Sequence, residues 1–440
     1  MTNFKHSDNK LSDDNKMSKL FLTKHNNNFN RTNDRLEFIK ILLEGTDLEP
    51  MFDLDQVPNS SENDENNNEF DLHNTKDIRN VLSKKLIGFK EIIQKIGGKL
   101  LYIKSGTTGH TFKGISSPDP NHPDIIINYA VKIVAYPRKE NYGSINDVTR
   151  PENAELMMLK VLSYFVVNNQ TPHIVLPIAT FNSKIHPFIT LTKNGIIGSK
   201  KYDNFITRYE AGDFYDDVSI LISEWADGSD LLDYLRENFK KLSIKEWRVI
   251  FFQILSVLVI IHTKYPTFRH NDLKANNILI QKISQRSNYN TYKYKINGNE
   301  YLVPNTGVRC KIWDFDFACI PGLVENAKVD AEWTNKINIK PKGHMYYDIH
   351  YFFNTLVSKG FISDFFNDDS DGNPYVPHEV TEFVNRVIPS SSRKGKYVSD
   401  RGRLLLDFDD LYKIKDLNYR NANDIIINDP FFKKMRVPKS

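Results

Sequence analysis

Phe268 to Ile280, Phe-Arg-His-Asn-Asp-Leu-Lys-Ala-Asn-Asn-Ile-Leu-Ile, decides the reading of this chain. An apolar helical run ends just before it at Ile260, Ile261 and His262, and an apolar strand-like run closes it from Asn277 to Ile280. The polar loop between them carries His270, Asp272, Lys274 and Asn277 in the order H-x-D-L-K-x-x-N. These residue types at this spacing suit one chemistry. A carboxylate (Asp272) accepts or orients a hydroxyl proton, a cation two positions on (Lys274) reaches a phosphate, and an amide oxygen (Asn277) holds a metal against phosphates. A blander reading also fits: a loop capped by Asp and Asn, with His270 a satisfied core histidine. The two are separated by whether matching partners occur, in order, elsewhere in the chain.

Upstream, Lys99 to Lys104 reads as a strand, with Ile103 near its end, and runs into Ser105-Gly106-Thr107-Thr108-Gly109-His110-Thr111-Phe112. A strand entering a Gly-x-x-Gly turn brings backbone N–H groups close to phosphate oxygens; an ordinary hairpin turn has the same look. After a Pro- and Asn-rich loop, Ser116 to Pro123, the stretch Ile125 to Ala135 is strand-like and contains Ala130-Val131-Lys132-Ile133. A lysine inside an apolar strand is costly unless its charge is paired, or unless the strand is an edge whose outer face meets solvent. The partner expected for it is Glu155, in a helical pattern with Leu156, Leu159 and Leu162; Glu152 is the alternative. Glu155 fits better because Leu159, one turn later, faces the same interior surface. Val218 to Ser223 is a strand leading to Glu224-Trp225-Ala226-Asp227-Gly228 and then a helical pattern through Leu235. Ser243 to His262 is a long helix capped by Ser243 with Glu246 three residues on.

Downstream, Gln281 to Val308 reads as an insertion. Its alternating residues from Tyr292 to Val303 around Asn297-Gly298 signal a hairpin, taken as a surface decoration. Lys311-Ile312-Trp313-Asp314-Phe315-Asp316-Phe317-Ala318 follows, a strand ending in two acidic residues around a phenylalanine. Ser390 to Arg403 is a polar, basic loop expected to be solvated.

Composition narrows the class. The chain has 440 residues, 40% of them hydrophobic, enough for a sizeable core. A net charge of +4 from 59 basic and 55 acidic residues argues against a dedicated nucleic-acid binder. Cys310 and Cys319 are too few for a disulfide framework or a zinc site, and a reducing compartment fits better than secretion. The first residues hold no apolar signal-peptide core, and no apolar stretch approaches a membrane span, which leaves peripheral membrane association open. Residues 1 to about 75 are rich in Asn, Asp, Ser and Lys and read as disordered. One helical island breaks this: Leu36, Ile39, Leu42 and Leu43, with Asp34 and Glu37 as a capping pair and Gly45 as a stop. It is either docked on the main domain or a partner-binding helix. Val81 to Ile96 reads as a second helix closed by Gly97-Gly98.

The ordered set Gly106/Gly109, Lys132, Glu155, Glu224, Asp272/Lys274/Asn277, Asp314 and Asp348 resembles the eukaryotic-type protein kinase family from about residue 85 to the C-terminus. Departures are Lys104 for the first glycine of the Gly-rich loop, Thr111 for its valine, Asn271 for the usual arginine, and Asp316 for the glycine of Asp-Phe-Gly. No Ala-Pro-Glu follows; Asp330-Ala331-Glu332 is at best a remnant. The resemblance implies an α+β, two-lobed fold: a small antiparallel β-sheet lobe (81–226) and a mostly helical large lobe (227–440) carrying the hairpin insertion 281–308. An N-terminal extension (1–80), largely disordered with one short helix, precedes them. It implies ATP and Mg²⁺ as cofactors. Asp272 and Lys274 would be catalytic, and Asn277 and Asp314 the metal ligands. Ile103, Lys104, Gly106, Thr107, Thr108, Gly109, Thr111, Lys132, Glu155, Glu224 and Ala226 would bind the nucleotide, adenine meeting the Glu224 carbonyl and the Ala226 amide. Asp348 would brace the catalytic loop. Without the arginine at 271, activity is expected not to need activation-loop phosphorylation.

The Asn271 variant, the Asp-Phe-Asp, the hairpin insertion and the Asn-rich composition together look like the poxvirus virion serine/threonine kinases. That likeness implies protein Ser/Thr substrates, late expression, and action in virion membrane assembly. It places the chain in host cytoplasm and virion, with peripheral association to endoplasmic-reticulum-derived membranes. Two rivals stand beside it. Choline- and aminoglycoside-type kinases share H-x-D-x-x-x-x-N and an Asp-Phe-acid motif, against which Lys274 stands. A pseudokinase scaffold would explain the depleted Gly loop, but need not keep Lys132, Asp272, Asn277 and Asp314.

Overall fold

The computed structural model describes residues 29, 31–54, 75–96, 98–106, 109–117, 126–191, 199–284, 290–358 and 360–438. The chain divides into two compact units. The first gathers residues 1–55, 82–138 and 177–225; the second gathers 56–81, 139–176 and 226–440.

The first unit is built on a five-stranded antiparallel sheet in the order β1 (Gly98–Ser105), β2 (Gly109–Ser116), β3 (Ile127–Pro137), β5 (Phe214–Glu224), β4 (Pro177–Lys184). Strand β3 is central, paired to β2 and to β5. Its period-two pattern is clean: Tyr129, Val131 and Ile133 are buried, while Asn128, Ala130 and Lys132 share the other, half-buried face. Lys132 therefore does not lie on an edge strand.

Helix α1 (Thr32–Leu43) belongs to this unit and is docked, burying Leu36, Phe38, Ile39, Leu42 and Leu43. Its start differs from the expected Asp34–Glu37 pair. Asp34 is the third helical residue, and its Oδ2 accepts the Arg31 backbone N–H at 3.3 Å. Gly45, at φ 72°, follows the helix end as expected. The disorder expected for most of residues 1–75 falls outside the described residues.

The helix expected over 81–96 is confined to α2 (Phe89–Ile96). Ahead of it the main chain is spent on the edge of β4: Ile87 N donates to Asn182 O at 2.9 Å and Asn182 N to Lys85 O at 2.8 Å. Covering an edge strand outweighs local helix propensity here.

The second unit is mostly helical: α3 (Pro151–Val167), α5 (Leu231–Asn238), α6 (Ile244–Lys264), α7 (Tyr347–Leu356), α8 (His378–Val387) and α9 (Ala422–Asn428). A further helix of the first unit, α4 (Lys200–Glu210), lies between β4 and β5. The 21-residue α6 is the axis of the second unit's core, with Val249 to Phe252, Val257, Leu258 and Ile261 fully buried. Its start is the expected capping box: Ser243 N donates to Glu246 Oε2 at 2.8 Å, and Glu246 N to Ser243 Oγ at 3.3 Å.

Two short ladders complete the unit, β6 (Ile278–Lys282) with β9 (Val308–Ile312), and β7 (Thr291–Ile296) with β8 (Asn299–Pro304). The β7–β8 hairpin turns at Asn297 (φ 43°) and Gly298 (φ 71°), as the Asn-Gly pair predicts. It is not surface decoration. Ile296, Tyr301 and Val303 are buried, Phe252 of α6 packs on Tyr294 and Tyr301, and the Tyr294 hydroxyl is 2.8 Å from His173 Nε2.

Candidate active site

In the first unit the expected phosphate-binding hairpin is closed at its base, Gly106 N donating to Gly109 O at 2.7 Å. Thr107 and Thr108 lie outside the described residues. Across the sheet Thr111 stands opposite Lys104 on one side and Lys132 on the other. Ile103 falls at the irregularity of β1, 44% exposed. A side chain at Gly109 would touch Val134 Cγ2 at 3.3 Å and Lys132 Cε at 3.6 Å, so the hairpin backbone lies directly along the lysine.

The hairpin base is braced from behind. Tyr102 Oη lies 2.7 Å from Ser105 Oγ, which lies 2.8 Å from His110 Nδ1, and His110 packs on Tyr202 and Phe205 of α4. Burial holds the His110 imidazole down at about 4.

At the end of β5 the Glu224 carboxylate is gripped by Arg35 of α1, Nε to Oε2 at 3.0 Å and Nη2 to Oε1 at 2.5 Å. Both side chains are buried, at 1% and 9% exposure, and the fork-to-fork geometry is the one arginine is built for. Sequence reading missed Arg35. The available signal was its place on the same helical face as Ile39 and Leu42, where a cation requires a partner.

Glu155 lies in α3, which groups with the second unit, and is 4% exposed. Glu152, the alternative, is committed to Arg150 at 2.8 Å; burial raises its carboxyl, and Arg150 opposes that shift. Gly228, just past Ala226, is required by close approach. Its N–H donates to Ile280 O at 2.7 Å, and a Cβ would fall 2.6 Å from Ile280 Cγ2.

The catalytic-loop stretch is a hydrogen-bonded construction around Asp348 of α7, itself 1% exposed. His270 N donates to Asp348 Oδ2 at 2.7 Å and Asn271 N to Oδ1 at 2.9 Å, as the expected brace requires. His270 is fully buried with Nε2 3.1 Å from Trp313 O and its ring 5.1 Å from Phe315, so it serves the core.

Asp272, Lys274 and Asn277 converge. Asn277 Nδ2 donates to Asp272 O at 2.9 Å and to its Oδ2 at 3.0 Å, and Lys274 Nζ is 2.9 Å from the same oxygen. With both amide hydrogens spent on Asp272, the Asn277 oxygen remains the atom suited to a cation. Trp313 N donates to Asn277 O at 3.1 Å, which ties the residue before Asp314 to this loop. Asp314 itself has φ 67°, a conformation uncommon outside glycine and found where a site holds it.

Three further residues escaped the sequence reading. Arg403 Nη2 donates to Asp272 Oδ1 at 2.5 Å and Nη1 to the Asn271 carbonyl. The loop 390–403, expected to be solvated, thus buries its last arginine, 6% exposed, against the Asp272 carboxylate; Lys394, Lys396 and Arg401 are exposed as expected. Lys328 pairs with Asp316, the acid in place of the usual glycine, and lies 3.9 Å over the Phe317 ring. Arg269, 1% exposed, donates to the carbonyls of Asn338 (2.6 Å) and Lys342 (3.2 Å). Asn271 Nδ2 adds a bond to Phe317 O at 2.9 Å. Glu332 is 89% exposed and pairs with Lys336 among the described residues, unlike a buried bracing acid.

This geometry, an acid, a lysine and an amide locked together and joined by main chain to a strand-end Asp-Phe, suits phosphoryl transfer. The protein kinase domain pattern matches residues 141–331. A protein of Acanthamoeba polyphaga mimivirus named "Putative serine/threonine-protein kinase" is 44% identical over 414 residues, covering 92% of this chain and 80% of that protein. Another of the same virus, with the same descriptive name, is 25% identical over 341 residues, covering 68% and 76%. Serine/threonine-protein kinase 2 of fowlpox virus is 28% identical over 205 residues, covering 45% and 42%. The chain belongs to the protein kinase family. It is an enzyme that transfers the γ-phosphate of ATP to protein hydroxyls.

Proposed function

We propose that the acceptors are serine and threonine hydroxyls, and that Asp272, Lys274 and Asn277 carry the transfer. The observation behind this assignment is the convergence of the Asn277 amide and the Lys274 ammonium on one oxygen of Asp272. The serine/threonine preference is supported by Lys274 and by the names of the viral relatives.

The acceptor oxygen forms its bond to the γ-phosphorus as the bond to the β–γ bridging oxygen breaks. ADP leaves with that electron pair, and the hydroxyl proton passes to Asp272. Lys274 stabilises charge on the transferring group. Lys132 and Glu155 take the phosphate-positioning roles of the family pattern, Gly106 and Gly109 frame the hairpin that covers the phosphates in that pattern, and the Glu224 carbonyl and Ala226 amide hold adenine. The donors at Asn277 and Asp314 are hard oxygens, and no cluster of three His, Cys, Asp or Glu occurs among the described residues. This donor set fits Mg²⁺, which binds through one or two protein oxygens plus phosphates. Bound there, Mg²⁺ would neutralise phosphate charge.

Asp272→Ala is expected to lower kcat on the order of 100-fold or more with little change in ATP affinity. Unchanged turnover would remove Asp272 from the mechanism. The small-molecule kinase reading draws on the H-x-D-x-x-x-x-N pattern and on Asp316, and Asp316 is engaged by Lys328. Comparing transfer from γ-labelled ATP to casein with transfer to choline separates the two readings, and inactivity on both favours a scaffold.

We further propose, from the likeness to poxvirus virion kinases, that the chain phosphorylates viral proteins during virion membrane assembly in infected cytoplasm and is packaged in the virion. No described helix is long and apolar enough to cross a membrane; peripheral association is part of the proposal. Immunogold labelling that found the protein absent from virions and assembly sites would count against it.

A further inference from the structure

A carboxylate offers about four acceptor positions on its two oxygens. On Asp272, Oδ2 receives Asn277 Nδ2 at 3.0 Å and Lys274 Nζ at 2.9 Å, while Oδ1 receives Arg403 Nη2 at 2.5 Å. Those are its side-chain donors among the described residues. The position left for an incoming hydroxyl is therefore the second one on Oδ1, the oxygen that Arg403 holds.

The arginine is itself rigidly presented. Its Nη1 donates to Asn271 O and lies 3.4 Å from Tyr347 Oη, and its guanidinium lies 4.2 Å over the Tyr351 ring. Gly402, at φ 80°, gives the turn that aims it, and Asn354 Nδ2 donates to Gly402 O at 3.0 Å. Ser399 closes the same turn, its N–H donating to Arg403 O at 2.8 Å and its hydroxyl accepting Arg403 N–H at 3.0 Å. His350 Nε2 lies 2.6 Å from Ser392 O at the start of the loop. Burial alone would lower the Arg403 guanidinium, but Tyr347, Tyr351 and Asp272 around it more than offset that and keep it cationic.

We infer that Arg403 is a positioning residue for phosphoryl transfer. By gripping Asp272 Oδ1 and the main chain of Asn271 with one planar fork, it fixes the direction from which the acceptor hydroxyl meets the carboxylate. This rests on the role proposed for Asp272. A misplaced acceptor of about 1 Å costs on the order of 100-fold in rate, so the grip acts on kcat, not on nucleotide binding. Lysine at 403 supplies the charge but not two parallel N–H groups, and is expected to restore the function only in part.

The test uses the full chain with ATP and casein. Arg403→Gln is expected to lower kcat roughly 10- to 100-fold with the KM for ATP within about 3-fold, and Arg403→Lys to fall between it and the parent. A crystal structure of Arg403→Gln is expected to show Asp272 in an altered or mixed rotamer. Unchanged kcat in Arg403→Gln overturns the inference. So does a proportional loss of kcat, ATP affinity and thermal midpoint that lysine does not relieve, because that pattern marks a packing strut. Asp272 keeping its rotamer in Arg403→Gln also overturns it, and this arm needs no activity. A parent chain inactive on casein would strike the proposed acceptor reading instead, leaving the crystallographic arm to decide on Arg403.

Discussion

Asn271 stands where kinases usually carry an arginine that docks a phosphorylated activation loop. The work of an arginine is nevertheless done two positions earlier. Arg269 spends its fork on main-chain carbonyls of residues 338–342, Asn271 secures Phe317 O, and Asp316 is paired with Lys328. Each of these contacts holds the segment without a phosphate. Phosphatase-treated protein is therefore expected to keep its activity. Loss of activity on removing phosphate from a residue between Ile320 and Tyr347 would overturn this. Part of this was legible beforehand: the missing arginine at 271 and the aspartate at 316 are visible in the sequence. Arg269 and Lys328 were not, because the sequence shows a cation but not whether its partner is a carboxylate or a row of carbonyls.

Helix α1 shows what an element can do at long range. Its apolar face was readable from the spacing of Leu36, Ile39 and Leu42, but not its destination, because the Arg35–Glu224 pair spans 189 positions. The same holds for the Arg403–Asp272 pair, 131 positions apart, and for the β7–β8 hairpin, whose alternation was clear but whose packing on α6 was not. The 268–280 loop and the strand around Lys132 were legible for the opposite reason, since each carries its signature within a few residues. Arg35 and Glu224 are both buried, so removing the arginine costs the carboxylate its forked partner. Arg35→Met is accordingly expected to destabilise the first unit by about 3–5 kcal/mol and to raise the KM for ATP through the loosened end of β5. Chemical denaturation alongside ATP titration checks this. A variant as stable as the parent would show that Glu224 finds other compensation.

For the whole molecule, the buried histidines set the behaviour in acid. Burial holds His110 at about 4, His350 at about 4 and His344 at about 3, against an ordinary value of 6.5. Below pH 6.5 the unfolded chain takes up protons that the folded chain refuses. Stability is therefore fully present above that value and is lost as pH falls from 6.5 toward 4. Thermal midpoints recorded between pH 7.5 and 5.0 should decline toward the acid end, and a flat profile would contradict this.

One helix ties several of these features together. Along α7, Asp348 carries the loop of His270 and Asn271, Tyr347 and Tyr351 flank Arg403, and His350 and Asn354 hold the arm from which Arg403 projects. Carboxylate and guanidinium are thus bolted to a common spar. When that spar shifts with heat or strain both travel with it, and the gap between them is the last dimension of the site to change.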